Sequence, residues 1–228
     1  MNKIVCFILL FSACGQKEGK VNNYIPTAIN VGYKKNAYDS CKNAVAIIKR
    51  KQKNNWNKLS ATKKEKEFAN TVVHTIIPAW YGTKWDFNGT TQVPQQGKIA
   101  CGYFVTTVLR DAGLPIARVK LAQCASEQMI TTLVQPKYVK RFSNLDMQTF
   151  MTYLKLNEFG LYIVGLDNHT GFIYNDGLHI WFIHATYLGT GGVQKEKAAT
   201  STILKNSKYK ILGKISADEL VQNQWVHW

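Results

Sequence analysis

The stretch HTGFIYNDGLHIWFIHA, residues 169 to 185, constrains the fold more than any other. Two runs rich in β-branched and aromatic residues flank Asp176-Gly177, the dipeptide that most strongly signals a two-residue hairpin turn. Such a turn sets Asn175 opposite Leu178. Counting outward along both strands, it sets His169 directly opposite His184, and opposed residues share one face of a sheet. His179, by alternation, points away from His184. A one-residue change of register would part the two imidazoles.

A second segment, GKIACGYFVTTVLRDAGLP at 97 to 115, places a cysteine in front of a helical pattern. Phe104, Val105, Val108, Leu109 and Ala112 form one stripe, and Gly113 and Pro115 supply the stop. The free N–H groups and dipole at a helix N-terminus favour a thiolate, so Cys101 is a candidate nucleophile. The plain alternative is a small buried residue that opens a core helix. A nucleophilic cysteine needs a base that is close in space and distant in sequence, with a third group to orient it. His169 and His184 fit those two parts, whereas His74 in an earlier helix reads as structural and His227 lies in the terminal WVHW. Two histidines are too few for a metal site and no carboxylate has convincing spacing. Neither metal nor cofactor is expected.

The remaining chain supplies a packed body. Of its 228 residues 46% are hydrophobic and 12% aromatic, which suits a globular core. The net charge of +15 favours anionic surroundings. No zinc knuckle or nucleic-acid motif accompanies it, so nucleic acid is not an expected partner. Helices are expected over 38–53, with Asp39 or Ser40 at the cap and Val45, Ile47 and Ile48 inward, and over 63–76. The second has Thr62 and Glu65 at capping-box spacing, Phe68, Val72 and Ile76 inward, and Pro78 as its end. Their many lysines read as a solvated face. Residues 79–100 look like an aromatic loop. Further helices are expected near 122–134 and at 145–156, the latter capped by Ser143 or Asn144. Strands are expected in GLYIVGL, HTGFIY, HIWFIHATY and KYKILGKIS. Ser216 and Glu219 have capping-box spacing for a short last helix. Helices first and an antiparallel sheet later make an α+β order.

The N-terminus, MNKIVCFILLFSACGQKEGK, has Lys3 ahead of an apolar run from Ile4 to Phe11. That run is too short to span a bilayer and reads as a signal peptide. Leu10-Phe11-Ser12-Ala13-Cys14 resembles the bacterial lipobox, which implies cleavage before Cys14 and lipidation of that residue. An ordinary signal peptide with a chance cysteine is the alternative. Cys6 would leave with the signal. Cys41, Cys101 and Cys124 remain, an odd number, so at least one free thiol is expected. A Cys41–Cys124 disulfide stays open.

The segment Cys101-Gly-Tyr-Phe-Val-Thr-Thr-Val-Leu-Arg-Asp-Ala-Gly113 resembles the cysteine segment of the NlpC-type peptidases, papain-like bacterial enzymes that cut peptides of cell-wall peptidoglycan. His169-Thr-Gly-Phe-Ile-Tyr resembles the family's His-Val-Gly-Ile-Tyr strand, and Ile183-His184-Ala185 its Ile-His-Ala. The resemblance spans roughly residues 80 to 190. It implies a papain-like core, with a cysteine-bearing helix packed on an antiparallel sheet. It implies Cys101 as nucleophile, His169 as base and His184 as orienting group. With the N-terminal reading, four segments are expected: a signal peptide at 1–13, a lipidated tether at 14–36, a helical extension at 37–77 and a papain-like catalytic domain at 78–228. The expected protein is a monomeric, lipid-anchored peptidase or amidase of the cell envelope, with peptidoglycan or another envelope peptide as substrate. An inactive binding lipoprotein and an acyltransferase or transglutaminase-like enzyme are the alternatives. The chain departs from the family pattern in length, with a longer loop from Trp85 to Cys101 and a longer spacer between the 101–112 helix and Gly160, and in residues at three places. Ala100-Cys101-Gly102 stands for Asp-Cys-Ser, and Gly160-Leu161 for Gly-Asp. Gly82-Thr83-Lys84-Trp85 stands for Gly-Thr-Pro-Tyr, which makes Trp85 or Tyr81 the candidate substrate-binding or oxyanion donor.

Overall fold

The structure, a computed structural model, describes residues 35–189 and 191–228. The signal peptide, the lipobox, Cys6, Cys14 and the tether up to residue 34 lie outside the described residues. Helix α1 covers Lys35–Lys53. Asp39 and Ser40 are therefore inside it and do not cap it. Tyr38 and Val45 are buried and Ile48 is partly so, but Ile47 is 62% exposed, because the buried stripe runs through Tyr38 and Val45.

Helix α2 covers Ala61–Asn70 and is capped by Ser60, whose Oγ accepts the Lys63 N–H at 3.3 Å. The expected Thr62 cap lies two residues past the observed one, inside the helix. Ser60→Ala should lower stability by about 1 kcal/mol, the usual worth of an N-cap, read as a lower urea midpoint. The helix then passes through a π-helical segment, Thr71–Ile76, into α3, Ile77–Trp80. Pro78 thus lies within a continuing helix and does not end it. The wider turn ahead of it, with the Ile77 N–H on the Val72 carbonyl, relaxes the clash a proline ring makes with the carbonyl four residues back. Phe68, Val72 and Ile76 are fully buried, as their spacing predicts.

Residues 81–100 hold two short parallel strands, β1 (Lys84–Trp85) and β2 (Lys98–Ile99). Then come α4 (Cys101–Asp111), α5 (Arg118–Gln123) and α6 (Ser126–Leu133). The last two replace one expected helix, because Cys124 and Ala125 are extended. Strand β3 (Val139–Ser143) follows, then α7 (Met147–Leu156), capped by Asp146 and not by Ser143 or Asn144. The rest is β4 (Gly160–Leu166), β5 (Thr170–Asn175), β6 (Ile180–Ala185), β7 (Val193–Lys197), α8 (Thr202–Asn206), β8 (Tyr209–Gly213) and α9 (Glu219–His227). Asp218 caps α9. Ser216 instead accepts the Leu161 N–H and donates to Glu65.

The larger sheet runs β3-β8-β4-β5-β6-β7 with antiparallel neighbours, so the fold is α+β. Helix α4 packs on one face, where Phe104 meets Phe172 at 5.9 Å. The other face buries Tyr162, Ile173 and Phe182 beneath Phe150 and Leu154 of α7 and Leu204 of α8. Helices α1 and α2 share the α4-side core with α9: Trp56 and Phe68 each meet Trp225 at 5.5 Å, and the Trp225 indole donates to the Ala112 carbonyl. They therefore buttress the C-terminal end of α4, the end opposite Cys101.

The β5–β6 hairpin differs from the two-residue turn expected. Asn175 pairs with Ile180 and Phe172 with Ile183, so the loop holds Asp176, Gly177, Leu178 and His179. The Asp176 N–H closes it on the His179 carbonyl at 3.1 Å, and the Asp176 side chain reinforces the turn. Asp176 Oδ1 accepts the N–H groups of Leu178 and His179 at 2.8 and 2.7 Å, and Oδ2 accepts the Trp181 indole at 3.0 Å.

Candidate active site

Cys101 is the first residue of α4. Its predecessor Ala100 has no side chain with which to cap the helix, so the first N–H groups stay uncovered. The backbone N–H dipoles of Thr170, Gly102 and Cys101 itself favour a negative charge on the Cys101 sulfur. Thr170 contributes its N–H because it lies beyond the last β5–β6 pair, Phe172 with Ile183. Burial nevertheless pushes the thiol pKa up and outweighs the three dipoles that pull it down. The lowered pKa expected at a helix N-terminus is thus reversed, and the resting group is a thiol.

Gly102 is required by its surroundings. A Cβ there would sit 2.5 Å from the Ala122 carbonyl of α5. Buried Arg118, at the start of α5, ties the long 86–99 loop to α4. Its Nε donates to Thr107 Oγ1 at 2.7 Å and one Nη to the Thr90 and Thr91 carbonyls, with the guanidinium over the Tyr103 ring.

His169 and His184 meet, though not as directly opposed residues. In the observed register Gly171 stands across from His184, and His169 lies diagonal to it. The shift from the expected register is two residues, so the alternation of faces survives. His169 Nε2 lies 2.9 Å from His184 Nδ1 with the rings nearly perpendicular. Gly171 permits this approach: a Cβ there would fall 2.8 Å from His184 Cβ. Phe182 stacks on the His184 ring at 3.9 Å. Burial pushes the His169 pKa down to about 4. Burial and the neighbouring His169 push that of His184 down to about 3. Both rings are therefore neutral at neutral pH. His169 Nδ1 makes no hydrogen bond among the described residues. Both imidazoles lie with Phe182 on the sheet face away from α4, whereas Cys101 belongs to the α4 side and comes near them only at the end of β5. Among the described residues no hydrogen bond yet joins Cys101 to either imidazole.

Glu196 is a site residue that sequence reasoning missed. Its Oε1 lies 3.3 Å from His184 Nε2, and Gln194 Nε2 lies 3.5 Å from the same nitrogen. Both sit on β7, whose VQKEK alternates but carries one apolar residue. That alternation was the available signal. The imidazoles touch nitrogen to nitrogen, and among the described residues no cluster of three or more His, Cys, Asp or Glu is arranged to hold a metal ion.

Trp85 packs against exposed Tyr187 at 5.4 Å and donates its N–H to the Gly191 carbonyl, so it adjoins the loop that follows β6. Tyr81 is partly buried, and burial raises its phenol pKa. Neither the Trp85 indole nor the Tyr81 hydroxyl has a hydrogen-bond partner among the described residues, so both remain donors. A cavity of about 260 Å³ opens beside His169, between Asn168, Thr186, Tyr187, Leu188 and Ile203. Cys101 is not in its wall. Cys41, Cys101 and Cys124 are all free thiols, so the disulfide left open by the sequence is not formed. The Cys124 thiol donates to the Leu121 carbonyl.

No protein-family model, curated protein or solved structure matches the chain.

Proposed function

We propose that the chain is a papain-like cysteine peptidase or amidase of the NlpC type, lipid-anchored through Cys14 in a bacterial cell envelope, that hydrolyses an amide bond in peptidoglycan peptides. One observation carries this assignment: His169 spends Nε2 on His184 and leaves Nδ1 unpaired, next in sequence to Thr170, whose N–H dipole acts on the Cys101 sulfur. A thiol, a neutral base and a group that orients the base are the parts that nucleophilic cysteine chemistry needs. The thiol proton passes to His169 Nδ1 as sulfur attacks the carbonyl carbon. The oxyanion is met by the Cys101 N–H and by a donor such as Trp85 or Tyr81. The imidazolium returns the proton to the leaving amine, and water then releases the acyl group from sulfur. The positive charge of the chain suits an anionic polymer.

A second assignment, an inactive papain-like binding lipoprotein, is favoured by the raised Cys101 pKa and by the missing thiol–imidazole hydrogen bond. One experiment separates them. Peptidoglycan digested with wild-type protein and with Cys101→Ala is compared by mass spectrometry. Defined muropeptides released by wild type alone support hydrolysis, and identical digests rule it out.

A further inference from the structure

His184 is held on three sides. Phe182 stacks on its ring, His169 touches Nδ1, and two side chains of β7 converge on Nε2. Two neutral imidazoles in contact must divide the roles of donor and acceptor, because each carries a single N–H. Which one donates is decided at the far nitrogen of His184. A carboxylate only accepts, so the Glu196 carboxylate 3.3 Å away favours a proton on His184 Nε2 over a bare lone pair. His184 Nδ1 is then bare and accepts, which leaves His169 Nε2 as the donor. The lone pair of His169 consequently falls on Nδ1.

We propose that Glu196 is a positioning residue which, acting through His184, fixes His169 in the tautomer whose Nδ1 receives the Cys101 proton. The proposal rests on the assignment of His169 as base. Gln194 makes the opposite demand. Its amide N–H, 3.5 Å from the same nitrogen, would need Nε2 bare. That would place a proton on His184 Nδ1 and, by the same logic, on His169 Nδ1, where it blocks the base. Glu196 prevails because it is nearer and carries a full negative charge, which disfavours a bare nitrogen lone pair facing it. When His169 Nδ1 accepts the thiol proton, its Nε2–H still donates to His184, so no further proton moves.

The test is ¹⁵N NMR of the histidine rings in the full protein, which reports the tautomer directly. In wild type, His169 and His184 should both be protonated at Nε2. In Glu196→Ala, Gln194 takes over and both protons should move to Nδ1. Turnover should then fall about 10- to 100-fold, the usual cost of losing a partner that orients a functional histidine. Gln194→Leu in that background should recover part of the loss. A wild-type spectrum with His184 protonated at Nδ1 overturns the proposal even if no variant folds. So does a Glu196→Ala spectrum with unchanged tautomers. The expected tautomers in a protein that turns over no substrate would keep the role of Glu196 and sink the hydrolase assignment instead.

Discussion

His169→Ala is expected to lower turnover by about 10²- to 10⁴-fold, the usual worth of a positioned general base. The pH profile should say how that base works. With the His169 pKa pushed down to about 4, the ring can accept a proton at any pH above that value. With the Cys101 pKa pushed up by burial, the thiol keeps its proton past the ordinary cysteine range. The competent pair, neutral imidazole and thiol, therefore spans a wide plateau. Activity is lost as pH falls through about 4, where His169 becomes cationic, and again only above the ordinary cysteine value. A resting thiolate–imidazolium pair would instead make Cys101 reactive in acid. Iodoacetamide labelling of Cys101 measured beside kcat/KM distinguishes these cases. Rapid labelling at about pH 5 would rule out the neutral pair, because there only a thiol of depressed pKa is ionised.

Gly102→Ser should destabilise the fold by about 1–3 kcal/mol, the common cost of forcing atoms into a packed interior. Helix propensity alone predicts the reverse, because serine is better than glycine in a helix by roughly 0.5 kcal/mol. The contact decides the sign. The new Cβ would lie 2.5 Å from a backbone carbonyl, which cannot rotate away as a side-chain tip can. Helix α5 would have to lift from α4 and carry with it Arg118 and its hold on the 86–99 loop. A Gly102→Ser protein with an unchanged urea midpoint would disprove this account. The same contact accounts for a glycine, and not a serine, after Cys101. Helix α5 sits where a serine side chain would point, so Gly102 and α5 form a matched pair.

Strands β4, β5 and β6 and helix α4 were legible because each buries an unbroken apolar run or stripe. Strand β7 was not, because Val193 is its one buried apolar side chain and the rest alternates charge. Three helix caps fell two or three residues from the expected positions, at Ser60, Asp146 and Asp218. A cap is defined by which residue leaves helical backbone geometry, and tertiary packing sets that point. The pairing of the two histidines was legible from alternation alone. The ionisation of Cys101 was not, because the burial that controls it comes from elements far along the chain. Glu196 was missed for the same reason as the strand that bears it.

The hairpin carries a consequence for how this chain can vary. Its register is two residues from the one the Asp176-Gly177 turn would set, yet the imidazoles still meet, because an even change returns each side chain to its own side of the sheet. Insertions or deletions between Asn175 and Ile180 should therefore be tolerated in pairs. A single added residue would turn one histidine through the sheet into the α4 side, where Phe104 and Phe172 leave an imidazole no polar partner.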